Sequence, residues 1–287
     1  QPGTYKDVKD TSAVAMFKAT QTSLENCKWF AGVVQSLLQY KEVFFMAWTT
    51  TPWTLPSNTA LSAGPDISYI KIKTSNPYTH TPVSVVLAEA LVPTWFGGKN
   101  QSTVEGQSAA FKGSQLKGIR YEPLLDFGNE IEPLLGGTDA YLVLTGDHVT
   151  TSDGTGIVHT APSFGADDQR VAKANGVGTL TLVDQTGKFK ENVGPYSGRY
   201  VKDYKDEPGY VAVDIDIAIQ LKTEGKALNV QKYEHNYPHC WRTDKPVLYY
   251  PMDSWFIKST ACKDRMIELN KTINWKPAHT GEKRFGN

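Results

Sequence analysis

The chain has 287 residues, 40% of them hydrophobic, which is enough to bury a substantial core as one large domain or two modest ones. Its 30 basic and 30 acidic residues balance, so no overall field attracts a nucleic acid or a membrane, and such a partner has to dock on a local patch. The three cysteines lack CxxC spacing, which argues against a disulfide framework or a structural zinc site and favours a reducing, cytoplasmic compartment; they are Cys27, Cys240 and Cys262.

Short β-branched and aromatic runs, bounded by turn formers, predict strands along most of the chain. The predicted strands are 13–19, 42–48, 67–74, 83–90, 140–146, 156–161, 178–184 and 246–251. In the third of these, Ile70 and Ile72 share one face while lysines occupy the other, an alternation typical of a half-buried strand. No stretch approaches 18 consecutive apolar residues and no signal pattern opens the chain, so no membrane partner is expected.

Helical signals are fewer. Residues 166–176 begin with acids and end at Asn-Gly, and 260–272 has a loose helical pattern. Residues 211–225 close on a glycine, as a helix does, although their opening is equally compatible with a strand. Residues 96–118 are rich in Gly, Ser and Gln, which indicates a long loop or insertion. The predicted fold class is α+β and strand-dominated, with a β-barrel-like core and peripheral helices.

Several catalytic motifs are absent from the sequence. It contains no GxxxxGK[ST] loop, no HExxH, no GxSxG and no GxGxxG that opens a helix. No cysteine has an evident nucleophile context, and no His/Cys cluster has metal-ligand spacing. Covalent and metal-assisted mechanisms therefore have little support, and we expect neither a metal nor a cofactor.

The first candidate cluster is the stretch AWTTTPWTLPSN, residues 47–58. Thr is a good strand residue and Pro ends a ladder, so the stretch is compatible with an ordinary strand end. Alternatively, the side chains of Thr49, Thr50 and Thr51 alternate between faces, so that at least one hydroxyl points inward. Because Pro52 stops the ladder and restrains the residue before it, hydroxyls and freed backbone groups there are able to hold a polar ligand or a water.

The second cluster is GTGIVHTAPSFGADDQ, residues 154–169, which predicts a strand, a turn and the start of a helix. One interpretation makes His159 a satisfied interior histidine and lets both aspartates complement the helix dipole. In the other, His159 and an aspartate meet at a pocket mouth, where a carboxylate suits a cationic ammonium. The third cluster, NYPHCWRTDKP at 236–246, mixes aromatic and basic residues that suit phosphates but are also ordinary at a surface.

Taken together, AWTTTPWTLPSNTAL (47–61) and GTGIVHTAPSFGADD (154–168) resemble the editing domain of isoleucyl-tRNA synthetase, the insertion called connective peptide 1 in the class I enzymes for Ile, Val and Leu. The segment YPHCWRTDKPVLYYPMDSWFI (237–257) and the final KRFGN are similar to that enzyme too, so the resemblance spans nearly the whole chain. The ATP-site signatures of the HIGH and KMSKS types are absent, which fits an editing domain taken from a longer chain. The length of 96–118 favours a eukaryotic cytosolic enzyme.

The resemblance implies one editing domain over 1–287, with 96–118 as a loop and 226–287 as a peripheral segment leading back to the synthetase body. It implies hydrolysis of valine from mischarged Val-tRNA(Ile), because a synthetic pocket for isoleucine rejects valine by only about 1–3 kcal/mol, the long-known figure for isoleucyl-tRNA synthetase itself. The expected partners are the 3′ end of that tRNA and the remainder of the synthetase with its ATP site. The alternative is a module that binds the tRNA 3′ end or aminoacyl-adenosine and has little or no activity outside the full enzyme.

The resemblance also implies roles for individual residues. Asp168 corresponds to the carboxylate that binds the substrate ammonium, while Asp167 is a helix-start acid. His159 corresponds to the residue that limits pocket size beside the valine side chain. The three threonines, Thr49, Thr50 and Thr51, line the region of the terminal adenosine and hydrolytic water, and Trp48 and Asn58 support the pocket. A cationic α-amino group needs an anion, which gives the assignment of Asp168 a physical reason of its own.

Overall fold

The structure is a computed structural model that describes residues 4–26, 42–98, 101–127, 134–202 and 212–284. Within these ranges the strands are β1 Tyr5–Lys18, β2 Val43–Thr49, β3 Ala60–Ala63, β4 Ser68–Ser75, β5 Pro82–Ala88, β6 Gly106–Gln107, β7 Phe111–Lys112, β8 Leu142–Thr145, β9 Ile157–Thr160 and β10 Ala227–Pro238. The α-helices are α1 Gln21–Asn26, α2 Val92–Trp95, α3 Ala166–Ala174, α4 Val213–Thr223 and α5 Lys263–Asn270. Short 3₁₀ helices lie at Pro52–Ser57, Glu89–Leu91, Gly113–Leu116, Gly194–Tyr196 and Ser259–Cys262, and a π-helix at Thr280–Arg284.

Two sheets organise the fold. The larger has the strand order β10-β1-β2-β5-β4-β6, with β7 also pairing with β4, and the smaller has the order β8-β3-β9. In the larger sheet β2 and β5 are parallel, whereas β1 is antiparallel to both β2 and β10. In the smaller sheet β3 is antiparallel to β9, which sets Leu61 opposite His159. This register places the predicted site histidine in the strand next to the one that follows the threonine stretch.

The main core lies along the centre of the larger sheet. The second half of β1 is buried without a break from Ala13 to Phe17, as expected of a strand that is covered on both faces. Phe45 and Met46 of β2 are fully buried beside it. Helix α4 packs against β1 and against the 3₁₀ helix Pro52–Ser57, so it supports the element that carries the threonine stretch.

The first half of β1 and the second half of β10 form a two-stranded ribbon. Its register runs from Tyr5 opposite Pro238 to Ser12 opposite Gln231, while β2 joins β1 only from Ala13 onward. Residues 5–10 of β1 and 232–237 of β10 alternate between exposed and half-buried, whereas Thr11 and Ser12 are buried. These two segments escaped prediction because charged and polar residues take the place of the apolar positions on which a strand assignment depends.

The strand-dominated α+β class is confirmed, but the two sheets of the described residues do not close into a barrel. The predicted strands 178–184 and 246–251 are wrong, since those segments make only isolated bridges such as Val183 to Phe189. Within the predicted segment 211–225 the structure has the helix α4 from Val213 onward, and the buried face of this helix includes Asp214 whereas Ile215 and Ile219 are exposed. The 101–118 segment carries β6 and β7, which line the far edge of β4.

The predicted half-buried alternation of β4 is also wrong, because Lys71 is only 2% exposed. Burial lowers the pKa of Lys71 to about 8, with the neighbouring charge of Lys73 acting in the same direction. The strand is flanked by β5 on one edge and by β6 and β7 on the other, so it is interior to the sheet rather than at its margin. The sequence of β4 shows that apolar and charged residues alternate. Whether the face that carries Lys71 is covered depends on residues that are distant in the sequence.

The chain divides into two compact units, Gln1–Tyr250 and Pro251–Asn287. The first contains both sheets. In the second, α5 precedes Trp275, whose ring N–H donates to Asn270, and the π-helix follows. No helix in the described ranges is long and apolar enough to cross a membrane. Cys240 and Cys262 are free cysteines, and Cys27 lies outside the described residues.

Candidate functional site

The threonine stretch leaves β2 at its last residue. Thr49 ends the strand, Thr50 lies in a bend, and Thr51 immediately precedes the 3₁₀ helix Pro52–Ser57. Pro52 has no N–H to donate, so the ladder cannot continue and the chain turns into the helix. All six residues of this helix are buried, which makes it part of the core rather than a surface turn.

The three threonine hydroxyls have different surroundings. The Thr49 hydroxyl accepts from the backbone N–H of Thr51 at 3.1 Å and lies 3.3 Å from the Thr51 hydroxyl. This local bond fixes the bend, as Ser and Thr side chains commonly do next to a turn. Among the described residues we find no hydrogen-bond partner for the hydroxyl of Thr50, which is half-buried. Of the three threonines, Thr50 is therefore the one whose hydroxyl makes no hydrogen bond among the described residues.

A chain of hydrogen bonds holds His159. The Tyr121 hydroxyl donates to Asn58 Oδ1 at 2.6 Å, and Asn58 Nδ2 lies 2.7 Å from the Ala60 carbonyl and 2.8 Å from His159 Nδ1. On the other side of the ring, Nε2 lies 3.0 Å from the Thr54 hydroxyl, which itself donates to a backbone carbonyl at 2.9 Å. Both ring nitrogens are thus engaged by the protein.

The directions of these bonds follow from one another. A carbonyl only accepts, so Asn58 must turn its NH₂ group toward Ala60, and that same group donates to His159 Nδ1. The imidazole proton then sits on Nε2 and points to Thr54. Burial lowers the pKa of His159 to about 4, so the ring is neutral near pH 7. A neutral ring with both nitrogens occupied provides shape to the pocket rather than a proton acceptor.

Asp168 lies in the first turn of α3, where a carboxylate complements the helix dipole. Its Oδ2 accepts from the backbone N–H of Ala161 at 3.0 Å, which ties the helix to the end of β9. Burial raises the pKa of Asp168, while the Ala161 N–H and the nearby His148 act in the opposite direction. No ion pair to this carboxylate is found in the described part of the chain. An incoming cation would therefore supply its first direct charge partner there.

The neighbouring Asp167 has a different environment. It is exposed and forms an ion pair with Arg170 at 3.1 Å, and Arg170 also contacts Asp147 at 2.8 Å. Asp167 thus belongs to an exposed network of ion pairs, whereas Asp168 is partly enclosed. Only Asp168 reaches the pocket described next.

These residues border one pocket of about 240 Å³. Its lining consists of Trp48, Thr49, Thr50, Thr51, Thr54, Val158, His159, Ala161, Phe164 and Asp168. All of the residues predicted from the sequence line it except Asn58, which lies behind His159. Trp48 closes one side, with its ring edge-on to Tyr233 at 5.1 Å between centroids.

Sequence reasoning missed Thr54, Val158, Ala161, Phe164 and the fully enclosed Tyr121. The first four of these residues lie inside the two motifs, and their position in the motifs is the sequence signal that marks them. Tyr121 lies far from both motifs, and no local signal marks it. In the third cluster, Arg242 stacks on the exposed Trp241 at 4.5 Å, an ordinary surface arrangement.

Comparison with known sequences identifies the family that this chain resembles. It is 48% identical to an isoleucine–tRNA ligase of Cytophaga hutchinsonii and 46% identical to one of Bacteroides fragilis, in each case over 100% of this chain and 27% of the relative. The chain thus spans about a quarter of the length of these relatives. No protein-family model matches the chain. The relatives are bacterial and align with the whole chain, so the length of 96–118 does not favour a eukaryotic source.

Comparison with solved structures identifies the fold. The chain matches the crystal structure of GlLeuRS-CP1 with a TM-score of 0.54 at 14% identity, covering 77% of this chain and 99% of that one. It matches the P. knowlesi cytosolic leucyl-tRNA synthetase editing domain with a TM-score of 0.52 at 11% identity, covering 79% and 97%. The resemblance to the editing domain of isoleucyl-tRNA synthetase is confirmed, with the ligase seen in the sequence match and the editing-domain fold in the structural match.

Proposed function

From this match to a segment of the isoleucine–tRNA ligases, which carries the fold of synthetase editing domains, we propose that the chain hydrolyses valine from mischarged Val-tRNA(Ile). The observation that carries the proposal is the pairing, in one pocket of about 240 Å³, of a neutral hydrogen-bonded His159 with the partly enclosed Asp168. His159 is placed to limit the size of an amino-acid side chain, and Asp168 is placed to bind the ammonium group of that amino acid.

Asp168 anchors the α-amino group. An ammonium near the carboxylate would form a charge-assisted hydrogen bond in surroundings where burial already disfavours an isolated negative charge. The anchor fixes one end of the aminoacyl group, so the side chain must extend into the remaining space. This orientation supplies the positional constraint that a labile ester needs in order to react with a water.

His159 limits the side chain. Because Asn58 and Thr54 hold both ring nitrogens, the ring cannot swing aside to admit a larger group without breaking buried hydrogen bonds. An extra methylene on the substrate would meet this ring rather than empty space. Such a pocket accepts valine and excludes isoleucine. It therefore removes the error that arises because the synthetic pocket cannot reject the smaller valine side chain.

The threonine stretch handles the ester and the water. Water attacks the carbonyl carbon, the ester bond to the ribose breaks, and the proton lost by the water is balanced by the one gained at the ribose oxygen. Thr50 offers a hydroxyl that the described fold does not use, and hydroxyl donors aimed at the developing oxyanion stabilise such a transition state. His159 is not the general base in this proposal, because both of its nitrogens are occupied.

The test is deacylation of Val-tRNA(Ile) and Ile-tRNA(Ile) by the chain and by the full-length ligase that contains it. We expect release of valine but not isoleucine, and loss of valine release in Asp168→Ala. Unchanged hydrolysis in that variant would contradict the assigned role of the carboxylate. The tRNA 3′ end, the remainder of the synthetase and a cytoplasmic location belong to the same proposal.

The second candidate is a binding module for aminoacyl-adenosine that is inactive outside the full enzyme. The balanced charge of the chain favours it, since weak tRNA affinity is expected of a chain with no net positive charge. Titration with non-hydrolysable valyl- and isoleucyl-adenosine analogues separates the two. Valine-selective binding without turnover by the chain, together with turnover by the full-length ligase, would support the module.

A further inference from the structure

Asp214 caps the 3₁₀ helix Pro52–Ser57 from a distant element. It lies in the first turn of α4 and is 8% exposed, and its Oδ1 accepts from the backbone N–H of Trp53 at 2.7 Å across 161 residues of sequence. Thr51, which precedes the helix, makes no side-chain cap bond, and Pro52 has no N–H. The N–H of Trp53 is therefore the first donor of this helix, and a buried donor of this kind has to find a partner.

The capped helix holds the histidine of the pocket. Thr54 lies in its first turn and bonds to His159 Nε2, while Asn58 follows its last residue and bonds to His159 Nδ1. A shift of the helix would therefore move both hydrogen-bond partners of the ring together. The helix is entirely buried, so its position is decided by what it packs against, and α4 is one of its main neighbours.

We infer that Asp214 is a positioning residue for the pocket, which fixes the 3₁₀ helix through Trp53 and thereby sets the place of His159 and the size limit on the substrate. This inference rests on the proposed function for its biological meaning. Asp214 does not line the pocket, so its effect on selectivity is indirect. It adds a residue that neither sequence motif contains.

The charged groups around Asp214 are Asp10 on β1, Lys232 on β10 and Lys202. Lys202 forms an ion pair with Asp10, which also meets His235 at 3.0 Å. Burial raises the pKa of Asp214 to about 7, so its protonated and ionised forms are both populated near neutral pH. Either form presents an oxygen that accepts from Trp53, which means that the acceptor, rather than the negative charge, performs the positioning.

The experiment compares Asp214→Asn, which keeps an acceptor oxygen, with Asp214→Ala, which removes it. Ile217→Val is the matched control, because Ile217 is buried one turn further along α4 but bonds to nothing in the pocket. Two quantities are measured in the chain and in the full-length ligase: the ratio of Val-tRNA(Ile) to Ile-tRNA(Ile) deacylation, and the ¹⁵N shifts of the His159 ring. The ring shifts report the Nε2–H tautomer without any need for turnover.

We expect Asp214→Ala to narrow the valine-over-isoleucine ratio by about tenfold or more, as small misplacements of a site do, and to shift the His159 ring signals toward a tautomer mixture. Asp214→Asn and Ile217→Val should keep the ratio and the ring signals of the parent protein. An unchanged ratio and tautomer in Asp214→Ala would overturn the inference. If that variant does not fold, a loss of selectivity in a folded Asp214→Asn would overturn it equally.

The two proposals fail in different ways. If the parent protein does not hydrolyse Val-tRNA(Ile), the proposed function is wrong, yet the ring signals of His159 still test whether Asp214 positions it. If the parent protein edits normally and the variants do not affect selectivity or tautomer, only the positioning role is wrong.

Discussion

Asn58 donates its side-chain amide to Nδ1 of His159 across 2.8 Å, although 101 residues separate them in the chain. The orientation of that amide is set independently by Tyr121 and by the Ala60 carbonyl. Because the donor direction is fixed in this way, the histidine has a single tautomer and a single rotamer. A rigid neutral ring is what a pocket needs if it is to distinguish side chains that differ by one methylene.

Removal of this ring should abolish the discrimination. We expect His159→Ala to hydrolyse correctly charged Ile-tRNA(Ile), because the space vacated by the ring admits the larger side chain. The measurement is release of isoleucine from charged tRNA over time. His279→Ala, at an exposed position, is the control and should leave Ile-tRNA intact. Full protection of Ile-tRNA in the pocket variant would show that another group limits the size.

The tandem aspartates provide a matched pair of variants. We expect Asp168→Asn to reduce deacylation of Val-tRNA(Ile) by about 10²-fold, since loss of a buried charge partner costs several kcal/mol. Asp167→Asn should change the rate by less than about twofold, because exposed ion pairs such as that with Arg170 contribute little. Equal effects of the two substitutions on kcat/KM would contradict the distinction drawn between them.

The decrease in the deacylation rate at acid pH should reflect the protonation of Asp168. Burial raises the pKa of Asp168 above its ordinary value of about 3.9, and the protonated acid cannot attract an ammonium. Deacylation should therefore fall as the pH decreases through this raised pKa and should be fully present above it. A pH profile of kcat/KM measures the effect. In Asp168→Asn the residual activity should lack this decrease, and an identical decrease in the variant would assign it to another group.

The threonines should separate into a structural and a functional hydroxyl. We expect Thr50→Val to lower valine release by about tenfold while leaving the melting temperature within about 2 °C, because its hydroxyl has no partner among the described residues. Thr49→Val removes the acceptor of the Thr51 N–H and should destabilise the protein by about 1 kcal/mol. Differential scanning calorimetry and deacylation assays on both variants make the comparison. A loss of stability in the Thr50 variant alone would reverse the assignment.

Two buried groups give opposite pH dependences of stability. The pKa of Asp214 rises from about 3.9 unfolded to about 7 folded, so its contribution to the free energy of unfolding falls as pH increases between those values. The pKa of His159 falls from 6.5 to about 4, so its contribution is lost as pH decreases through the same range. At about 1.4 kcal/mol per unit, each effect is of the order of 3–4 kcal/mol and they largely cancel.

Asp214→Asn removes the contribution of Asp214 to the pH dependence of stability and leaves that of His159. The melting temperature of the variant relative to the parent protein should increase steadily from pH 4.5 to pH 7.5, because the parent protein alone loses stability as Asp214 ionises, while His159 titrates in both proteins and cancels in the comparison. Thermal unfolding in a pH series measures the difference. A constant offset between the two proteins would mean that Asp214 keeps an ordinary pKa in the folded state.

The sequence predicts the local parts of this architecture. Strand β2, strand β9 and helix α3 are marked by apolar runs and an acidic helix start, and the two motifs contain most of the pocket lining. What it cannot predict is tertiary. Residues 178–184 read as a strand but find only isolated bridges, because strand pairing depends on a free partner rather than on propensity.

The supporting residues were missed for the same reason. Tyr121 acts on the pocket through the Asn58 side chain and Asp214 through the backbone N–H of Trp53, and neither lies in a motif. A buried aspartate inside an alternating Val-Asp-Ile-Asp segment reads as an exposed position of a helix or strand. Only the packing of α4 on the 3₁₀ helix shows that it faces inward.

The ribbon of β1 and β10 has a consequence for how such a unit is carried by a longer polypeptide. Because Tyr5 lies opposite Pro238, the chain enters and leaves this ribbon at neighbouring points. A host protein could carry the segment between these points as an insertion, without separating residues that are neighbours in its own fold.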